Sequence, residues 1–270
     1  MVDDPAVAVV DLEGMLNLDL TFQEKAIPGL THIVLELLPH QPSFYLKTTG
    51  DYTVKVDFLD TAWYVHKAQV SPQMLDGLRY GLNKAPARYA ITRCDVRHTT
   101  IPANVYDYTL ENIVMGTLPR RVFLGLVSND SFNGMTSDPF RFQHYNVNFV
   151  SAFIDGTPYP LRPFTPDFKR NNFVREFRAL YRALNQTGTE TYLTIDRAAF
   201  KERPLFAFNF APDLSNGASL SSHVNLRTQG HLRIQLKFAE RLPESVVAVL
   251  YCEFDSCIEI DQMRNIHIDY

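Results

Sequence analysis

The sequence predicts an all-β chain that folds as a β-sandwich or jelly roll, with one or two helices inserted in its connections. Apolar and polar residues alternate at a period of two in many segments, which is the pattern of half-buried strands. Helical periodicity occurs in only two places, and no regular strand-helix alternation indicates an α/β enzyme fold. The 270 residues are 46% hydrophobic, so the chain can bury a sizeable core in one large domain or two smaller ones.

The first strand-like segment along the chain is YTVKVDF, residues 52–58. One face would carry Tyr52, Val54, Val56 and Phe58, and the other Thr53, Lys55 and Asp57. This alternation predicts a half-buried strand.

Four later segments predict further strands. FQHYNVNFVSAF places Tyr145, Val147, Phe149 and Phe153 on one face, against His144, Asn146 and Asn148. LFAFNFAP offers Phe206, Phe208 and Phe210 to one side, and HLRIQLKF alternates Leu232, Ile234, Leu236 and Phe238 with polar residues. SVVAVLYCEF is apolar on both faces, which is typical of a central strand covered on both sides.

Two segments predict helices. NNFVREFRALYRAL brings Phe173, Val174, Phe177, Leu180, Tyr181 and Leu184 onto one stripe and leaves Arg175, Arg178 and Arg182 toward solvent. SPQMLDGLRYGL is shorter, with Ser71 placed to cap the helix and Pro72 at its first position.

Bulk properties exclude several classes of protein. The formal net charge of −4 argues against a generally basic nucleic-acid binder, although charge can still be localised. No apolar run approaches the roughly 20 residues of a membrane-spanning helix, and the acidic start lacks the basic region of a secretory signal. The three cysteines, Cys94, Cys252 and Cys257, are too few and too scattered for a disulfide framework or a Cys-type zinc site. These features fit a reducing intracellular origin.

The sequence lacks common catalytic motifs: neither a G-x-S-x-G elbow nor a phosphate-binding loop occurs. The histidines, among them His98, His144, His223, His231 and His267, never fall at H-x-H or H-x-x-x-H spacing. A metal site would therefore need ligands from distant strands, and solvent-facing strand histidines are the alternative. Accordingly we assign no catalytic, cofactor-binding or metal-binding residues and predict that the chain is not an enzyme and holds no cofactor.

Other candidate sites also have structural interpretations. Cys252 and Cys257 would lie on opposite faces of a continuous strand, which favours free buried thiols over a local disulfide. The sequons at Asn129 and Asn185 are interpreted as chance matches because no signal peptide precedes them. Glu259 and Asp261 alternate with Ile258 and Ile260, so they are interpreted as the wet face of a strand and not as a catalytic dyad.

Charge is distributed unevenly along the chain. Residues 118–184 hold nine basic residues against five acidic ones: Arg120, Arg121, Arg141, Arg162, Lys169, Arg170, Arg175, Arg178 and Arg182, against Asp130, Asp138, Asp155, Asp167 and Glu176. The last 31 residues hold Glu240, Glu244, Glu253, Asp255, Glu259, Asp261 and Asp269, against Arg241 and Arg264. Two interpretations stay open, namely ordinary solvated faces, or complementarity between copies in which a basic middle meets an acidic end.

Several long segments together resemble a known family. They are YTVKVDFLDTAWYVHKAQVSPQ, LPRRVFLGLVSNDSFNG, DPFRFQHYNVNFVSAFIDGTPYPLRPFTPDF, LFAFNFAPDLS and the ending NLRTQGHLRIQLKFAERLPESVVAVLYCEFDSCIEIDQMRNIHIDY. In this order, and from residue 52 to the last residue, they closely resemble the C-terminal part of the major capsid proteins of Maverick/Polinton elements and adintoviruses. The first 50 residues resemble that family only weakly.

The resemblance implies a hexon-like, double jelly-roll fold. Residues 85–270 would form the complete C-terminal jelly roll, and residues 1–84 the last strands of an N-terminal roll plus a linking helix. Residues 118–134 would be a strand and a sharp corner with no chemistry attached, where Asn133-Gly134 supplies the positive φ of a turn. Because family members carry two complete rolls, the chain would be a fragment, a shortened gene model or an endogenised copy.

The implied function is that of a viral structural protein, a hexon-like major capsid subunit of an icosahedral shell. Its partners would be two further copies in a homotrimeric capsomer, neighbouring capsomers, penton proteins and minor capsid proteins, with no membrane span and no specific nucleic acid. It would be located in the virion capsid and inside the host cell. The alternative is a cellular jelly-roll binding module that was domesticated from such a capsid protein.

Overall fold

The computed structural model describes residues 9–40, 44, 46, 55–133, 138–184, 186, 195–211, 214 and 228–269. The strands are β1 Ala87–Ile101, β2 Asp107–Thr117, β3 Arg121–Ser128, β4 Val147–Ile154, β5 Thr157–Phe164, β6 Phe206–Asn209, β7 Gln229–Phe238, β8 Val246–Ile260 and β9 Ile266–Asp269. The helices are α1 Pro72–Lys84, α2 Asn129–Phe132, α3 Val174–Ala183 and α4 Arg197–Glu202.

The strands form two antiparallel sheets with jelly-roll connectivity. One sheet has the order β1-β8-β3-β6, with β9 also paired to β8, and the other has the order β2-β7-β4-β5. Along the chain the pairs β1/β8, β2/β7, β3/β6 and β4/β5 fall alternately in the two sheets. This is a long hairpin of four strand pairs rolled into a sandwich, which is the jelly-roll pattern. The predicted all-β class and jelly-roll sandwich are confirmed.

The core lies between the two sheets and is filled by the alternating residues of the strands. The predicted inward face of β7 is buried throughout, with Leu232, Ile234 and Leu236 at 0% exposure and Phe238 at 4%. Strand β6 buries Phe206 and Phe208, and Phe208 lies 5.5 Å from Phe164 between ring centroids. The predicted central position of SVVAVLYCEF is also confirmed, because β8 is hydrogen-bonded to β1 on one edge and β3 on the other.

The predicted inward face of FQHYNVNFVSAF holds for Tyr145 and Val147 and is wrong for Phe149 and Phe153. The strand begins at Val147, which is buried, but its register against β7 then shifts by one residue before Phe149. This β-bulge moves Val150 and Ala152 into the core, because one extra residue inverts the side-chain alternation. Phe149 and Phe153 lie on the outer face, where the cations of Lys237 and Arg233 pack over their rings.

The strand predicted at YTVKVDF is not observed in its described part. Residues 55–58 have no regular structure, and Phe58 is 63% exposed, whereas Tyr52 and Val54 lie outside the described residues. Among the residues described ahead of Ala87 no strand is found. Alternation alone does not make a strand, since a strand needs a neighbour to pair with.

The two predicted helices are present. Helix α1 begins as expected, with the Ser71 hydroxyl accepting from the Met74 amide at 3.4 Å and Pro72 in the first turn. On α3, Leu180 is buried and the three arginines are exposed, as predicted. Val174, assigned to the apolar stripe, is 45% exposed, and the buried residue of that turn is Glu176.

The corner expected after β3 has a different form. The chain leaves β3 through the short helical turn α2, which the Ser128 hydroxyl caps by accepting from the Ser131 amide at 3.2 Å. Asn133 ends this turn at φ −80°, so it does not supply a positive φ, and Gly134 lies outside the described residues. The side-chain cap explains the difference, because it stabilises a helical turn where the Asn-Gly pair indicated a tight one.

We expect Phe208→Ala to lower the free energy of unfolding by about 3–5 kcal/mol, because it leaves a cavity between two sheets that cannot close fully. Denaturant unfolding followed by fluorescence measures this change. Phe58→Ala is the matched control, since the same side chain is removed from a 63% exposed position. Equal effects of the two substitutions would contradict the position of Phe208 in the core.

Candidate functional site

Four charged residues that the sequence placed in opposite blocks meet at one buried cluster. Arg121 and Glu253 are direct partners in the β3/β8 ladder, and Arg121 Nη2 lies 2.5 Å from Glu253 Oε2. Arg120 Nη1 lies 2.6 Å from Asp255 Oδ1, and its Nη2 lies 3.5 Å from Glu253. Between 4% and 11% of each of these side chains is exposed.

The cluster is bound to its surroundings through main-chain groups. The Arg121 guanidinium donates to the carbonyl of Ala183 at the end of α3. The Arg120 amide donates to the Glu253 carbonyl at 2.7 Å, and the Arg120 carbonyl accepts from the Phe210 amide at 2.7 Å. Two cations and two carboxylates balance in charge, and paired burial of this kind is tolerated where isolated charges are not. The cluster therefore joins β3, β8 and α3 structurally.

Some charges outside this cluster are also paired among the described residues. Of the seven acids in the last 31 residues, Glu240 pairs with Lys169 and Glu259 with Arg88, in addition to Glu253 and Asp255. The basic middle and the acidic end thus meet inside one molecule. Complementarity between copies, which the sequence also suggested, stays a prediction for other exposed charges, such as those of Arg178 and Arg182.

None of the three cysteines forms a disulfide with another: Cys94 is exposed, Cys252 is buried and Cys257 is partly buried. Burial raises the pKa of the Cys252 thiol to about 12. Burial also raises the pKa of Cys94, although the hydrogen bond from the Tyr251 hydroxyl, at 2.7 Å, opposes this effect. A nucleophilic cysteine needs a lowered pKa, so neither environment activates a thiol. The expectation of buried free thiols is wrong in degree for Cys257, which keeps partial exposure.

The described histidines for which contacts are observed each have a different partner. His144 stacks on Phe168 with ring centroids 4.7 Å apart, and burial lowers its pKa. His98 contacts Phe132, and the His231 ring lies 3.4 Å from the Asp155 carboxylate. His223 lies outside the described residues. In the part of the chain that the structure describes, no three His, Cys, Asp or Glu side chains group as a metal site would require.

Of the two acids interpreted as a wet strand face, Glu259 lies on a strand, whereas Asp261 lies one residue past the end of β8. Glu259, on β8, pairs with Arg88 across the ladder at 2.7 Å, and Asp261 follows the strand and accepts from Asn265 in the turn toward β9. Of the two sequon asparagines, Asn129 begins α2 and Asn185 lies outside the described residues.

Sequence reasoning missed one buried carboxyl group. Glu176 is 4% exposed in the first turn of α3, and its Oε1 accepts from the Thr165 amide at 3.1 Å. Burial raises the pKa of Glu176, while its hydrogen bonds to main-chain amides oppose this shift. The hydrogen bond fastens α3 to the end of β5. Its only sequence signal is an acid in the first helical turn, which is common on exposed helices.

A surface depression of about 290 Å³ lies beside the turn before α3. It is lined by Asn146, Val147, Asn148, Pro166, Asp167, Phe168, Lys169, Arg170 and Ala239. Its cations are engaged by neighbouring acids, Lys169 by Glu240 and Arg170 by Asp167. The depression therefore presents no concentration of unpaired charge.

Exposed apolar side chains are numerous on helix α1 and on the segment before it. Helix α1 buries Leu82 but leaves Met74, Leu75, Leu78 and Tyr80 at 42–64% exposure. The segment before it exposes Phe58, Leu59, Trp63, Tyr64 and Val65 at 41–89%. We call these nine residues the N-terminal apolar surface. Apolar exposure on this scale favours association with another surface.

Comparison with known proteins finds one curated relative and several solved structures of similar fold. No family model matches the chain. A curated Caenorhabditis elegans protein, itself described as uncharacterized, is 28% identical over 262 residues, which cover 94% of this chain and 62% of that protein. The chain therefore spans less than two thirds of the length of this relative.

Solved structures from three viral sources align with part of the chain. Protein VP54 of PBCV-1, in a structure fitted to the virophage Sputnik, is 9% identical over 74% of this chain and 55% of its own, with a TM-score of 0.42. A chain of the Sputnik virophage is 13% identical over 68% of this chain and 39% of its own, with a TM-score of 0.41. The mavirus major capsid protein is 10% identical over 68% and 41%, with a TM-score of 0.36.

None of the described helices combines the length and the apolar character needed to cross a bilayer.

We expect Glu253→Gln to destabilise the fold by about 3–5 kcal/mol, because Arg121 would stay buried without its carboxylate. Thermal and denaturant unfolding measure the effect. Glu259→Gln is the matched control: its partner Arg88 is 69% exposed, and loss of such a surface pair costs at most about 1 kcal/mol. A change in Glu253→Gln no larger than in the control would contradict a stabilising role for the cluster.

We also expect that a chelator leaves the melting temperature unchanged, because a structural metal would contribute directly to folding. Scanning calorimetry with and without EDTA, after dialysis, measures this. A fall in melting temperature that added zinc reverses would reveal a metal site.

Proposed function

We propose that the chain is a structural subunit of a virus-type protein shell, a hexon-like major capsid protein. The observation that carries the proposal is the complete jelly-roll connectivity of β1–β8 in two facing sheets. This architecture recurs in viral capsid proteins as well as in lectins and cupins. The ordered resemblance of residues 52–270 to major capsid proteins of Maverick/Polinton elements and adintoviruses selects the first of these classes.

The way in which the chain uses its polar residues supports a structural role. The charges buried at the β3/β8 junction neutralise one another, and the Glu176 carboxyl accepts from a main-chain amide. Catalytic sites instead hold perturbed, mutually positioned groups at an accessible cleft. The buried polar groups described above stabilise connections between strands and helices, which is the role expected of such groups in a structural subunit.

The proposed organisation follows from the family resemblance. Residues 85–270 are the C-terminal roll, and residues 1–84 are the remnant of an N-terminal roll with its linking helix, for which α1 is the candidate. A complete subunit would form a homotrimeric, pseudo-hexagonal capsomer that contacts neighbouring capsomers, penton proteins and minor capsid proteins in the virion. In this proposal the rest of the first roll would pack on the N-terminal apolar surface, whose side chains are exposed.

The second candidate is a cellular jelly-roll binding module, domesticated from such a capsid protein. One observation favours it: the curated relative that matches 94% of this chain belongs to a nematode. A module of this kind would use one roll and its loops, and would not need to form trimers.

We expect the 270-residue chain by itself to self-associate irregularly, because the N-terminal apolar surface is exposed. A version extended at its N terminus by a complete first roll should instead form trimers. Light scattering and analytical ultracentrifugation over a concentration series distinguish these states.

Leu75→Lys with Leu78→Lys should reduce the irregular association, since both side chains lie exposed on α1. The matched control is Leu161→Lys, an equally apolar residue that is 85% exposed on β5. A concentration-independent monomer of the unaltered chain would contradict the capsid subunit and favour the binding module.

A further inference from the structure

Strand β1 is an edge strand of its sheet. All fifteen of its residues pair with β8 on one side, and the described residues place no strand on its other side. In an antiparallel pair, alternate residues turn both their N–H and C=O groups away from the partner. The outward row of β1 contains Arg88, Ala90 and Thr92. Unpaired rows of this kind recruit strands from other molecules.

Side chains from residues 19–29, which we call the strap, occupy the first half of this outward row. Asp19 Oδ2 accepts from the Thr92 amide at 2.6 Å. Gln23 Nε2 donates to the Ala90 carbonyl at 2.7 Å. Lys25 Nζ donates to the Arg88 carbonyl at 3.2 Å. The strap thus runs antiparallel to β1 and supplies, from side chains, the bonds that a neighbouring strand would supply from its main chain.

The strap is also held beyond these three bonds. The buried Tyr89 side chain donates its hydroxyl to the Ala26 carbonyl at 2.9 Å. Arg264, in the turn before β9, donates to the Gly29 carbonyl at 2.9 Å. These contacts fix the strap next to the three-stranded part of the sheet formed by β1, β8 and β9. The strap is therefore held both by its own side chains, which bind the main chain of β1, and by side chains of the jelly roll, which bind the main chain of the strap.

The second half of the outward row has no such cover. Cys94, Val96, His98 and Thr100 are exposed, and among the described residues no hydrogen bond reaches their outward main-chain groups. Asp95 and Arg97 in this half pair with each other at 2.9 Å and are 34% and 41% exposed, and charged side chains of this kind commonly protect natural edges. The strap therefore protects the first half of β1, and this ion pair is the charged protection of the second half.

We propose that the strap guards β1, and that β1, once the strap is released, docks the β1 strand of a second copy. A second copy is the fitting partner because two identical strands pair antiparallel about a two-fold axis, which makes the contact self-complementary. The fifteen-residue length of β1 favours such a pairing, and with the two Val96 residues facing each other, Asp95 of one copy would lie opposite Arg97 of the other. Release breaks the three strap bonds to β1 together with the Tyr89–Ala26 and Arg264–Gly29 bonds, and a second β1 strand would replace the bonds to β1 with main-chain bonds of a ladder.

Asp19→Ala combined with Gln23→Ala tests the guard in the full chain. Hydrogen exchange of the Thr92 amide should become about tenfold faster or more, because its charge-assisted bond is lost. Sedimentation should show a higher fraction of dimer than in the unaltered chain at the same concentration. Glu24→Ala is the matched control, since it removes one strap carboxylate from an exposed position and should change neither quantity.

Ala90→Pro, added to the double variant, tests the docking edge. The Ala90 amide points outward, so proline would leave the β1/β8 ladder intact and block pairing with another strand. We expect this variant to lose the added dimer while the Leu75→Lys/Leu78→Lys change does not remove it.

Three results would overturn the proposal. Unchanged exchange at Thr92 in the double variant would show that the strap does not protect the edge. Faster exchange without added dimer, or added dimer that Ala90→Pro leaves in place, would show that β1 does not dock a second copy. None of these results depends on whether the complete protein forms capsomers.

Discussion

The two-sided hydrogen-bond ladder of β8 is the interaction on which the rest of the fold depends. One edge of β8 pairs with β1 over fifteen residues, and the other pairs with β3 and then with β9. Because β8 follows β1 by some 145 residues of chain, its pairing closes the roll and brings both ends of the sandwich together. The register of this ladder decides which side chains enter the core.

The buried ion-pair cluster makes that register specific. Arg121 stands opposite Glu253, and a shift by one residue would turn every β8 side chain to the other face of the sheet. Apolar residues such as Leu250 and Cys252 would then leave the core, while two arginines would lose their carboxylates in a site with little access to water. Hydrophobic burial alone tolerates such errors better than paired buried charges do. The cluster therefore favours the native register over shifted ones.

Features with a local cause were predictable from the sequence. The inward face of β7, the start of α1 at Ser71 and the exposed arginines of α3 follow from periodicity and capping alone. The inverted face of β4 did not follow, because a bulge is a property of the pairing between two strands. The absence of a strand at residues 55–58 has the same cause, since alternation indicates a face only when a partner exists. Pairing of Arg121 with Glu253, 132 positions apart, depends likewise on topology, and the sequence revealed only the two opposite charge blocks.

The residues ahead of β1 therefore have two different physical relations to the jelly roll. The strap matches the spacing of the outward groups of β1 and satisfies them with polar side chains, which needs specific geometry and is sensitive to single substitutions. The N-terminal apolar surface has no such partner among the described residues. The free energy gained by covering it depends on how much apolar area is removed from water, whichever apolar surface covers it. Polar pairing at an edge is directional, whereas apolar burial is not. Association through β1 should accordingly be ordered and two-fold, and association through α1 and its preceding segment irregular, so that the same chain has two separable routes to self-assembly.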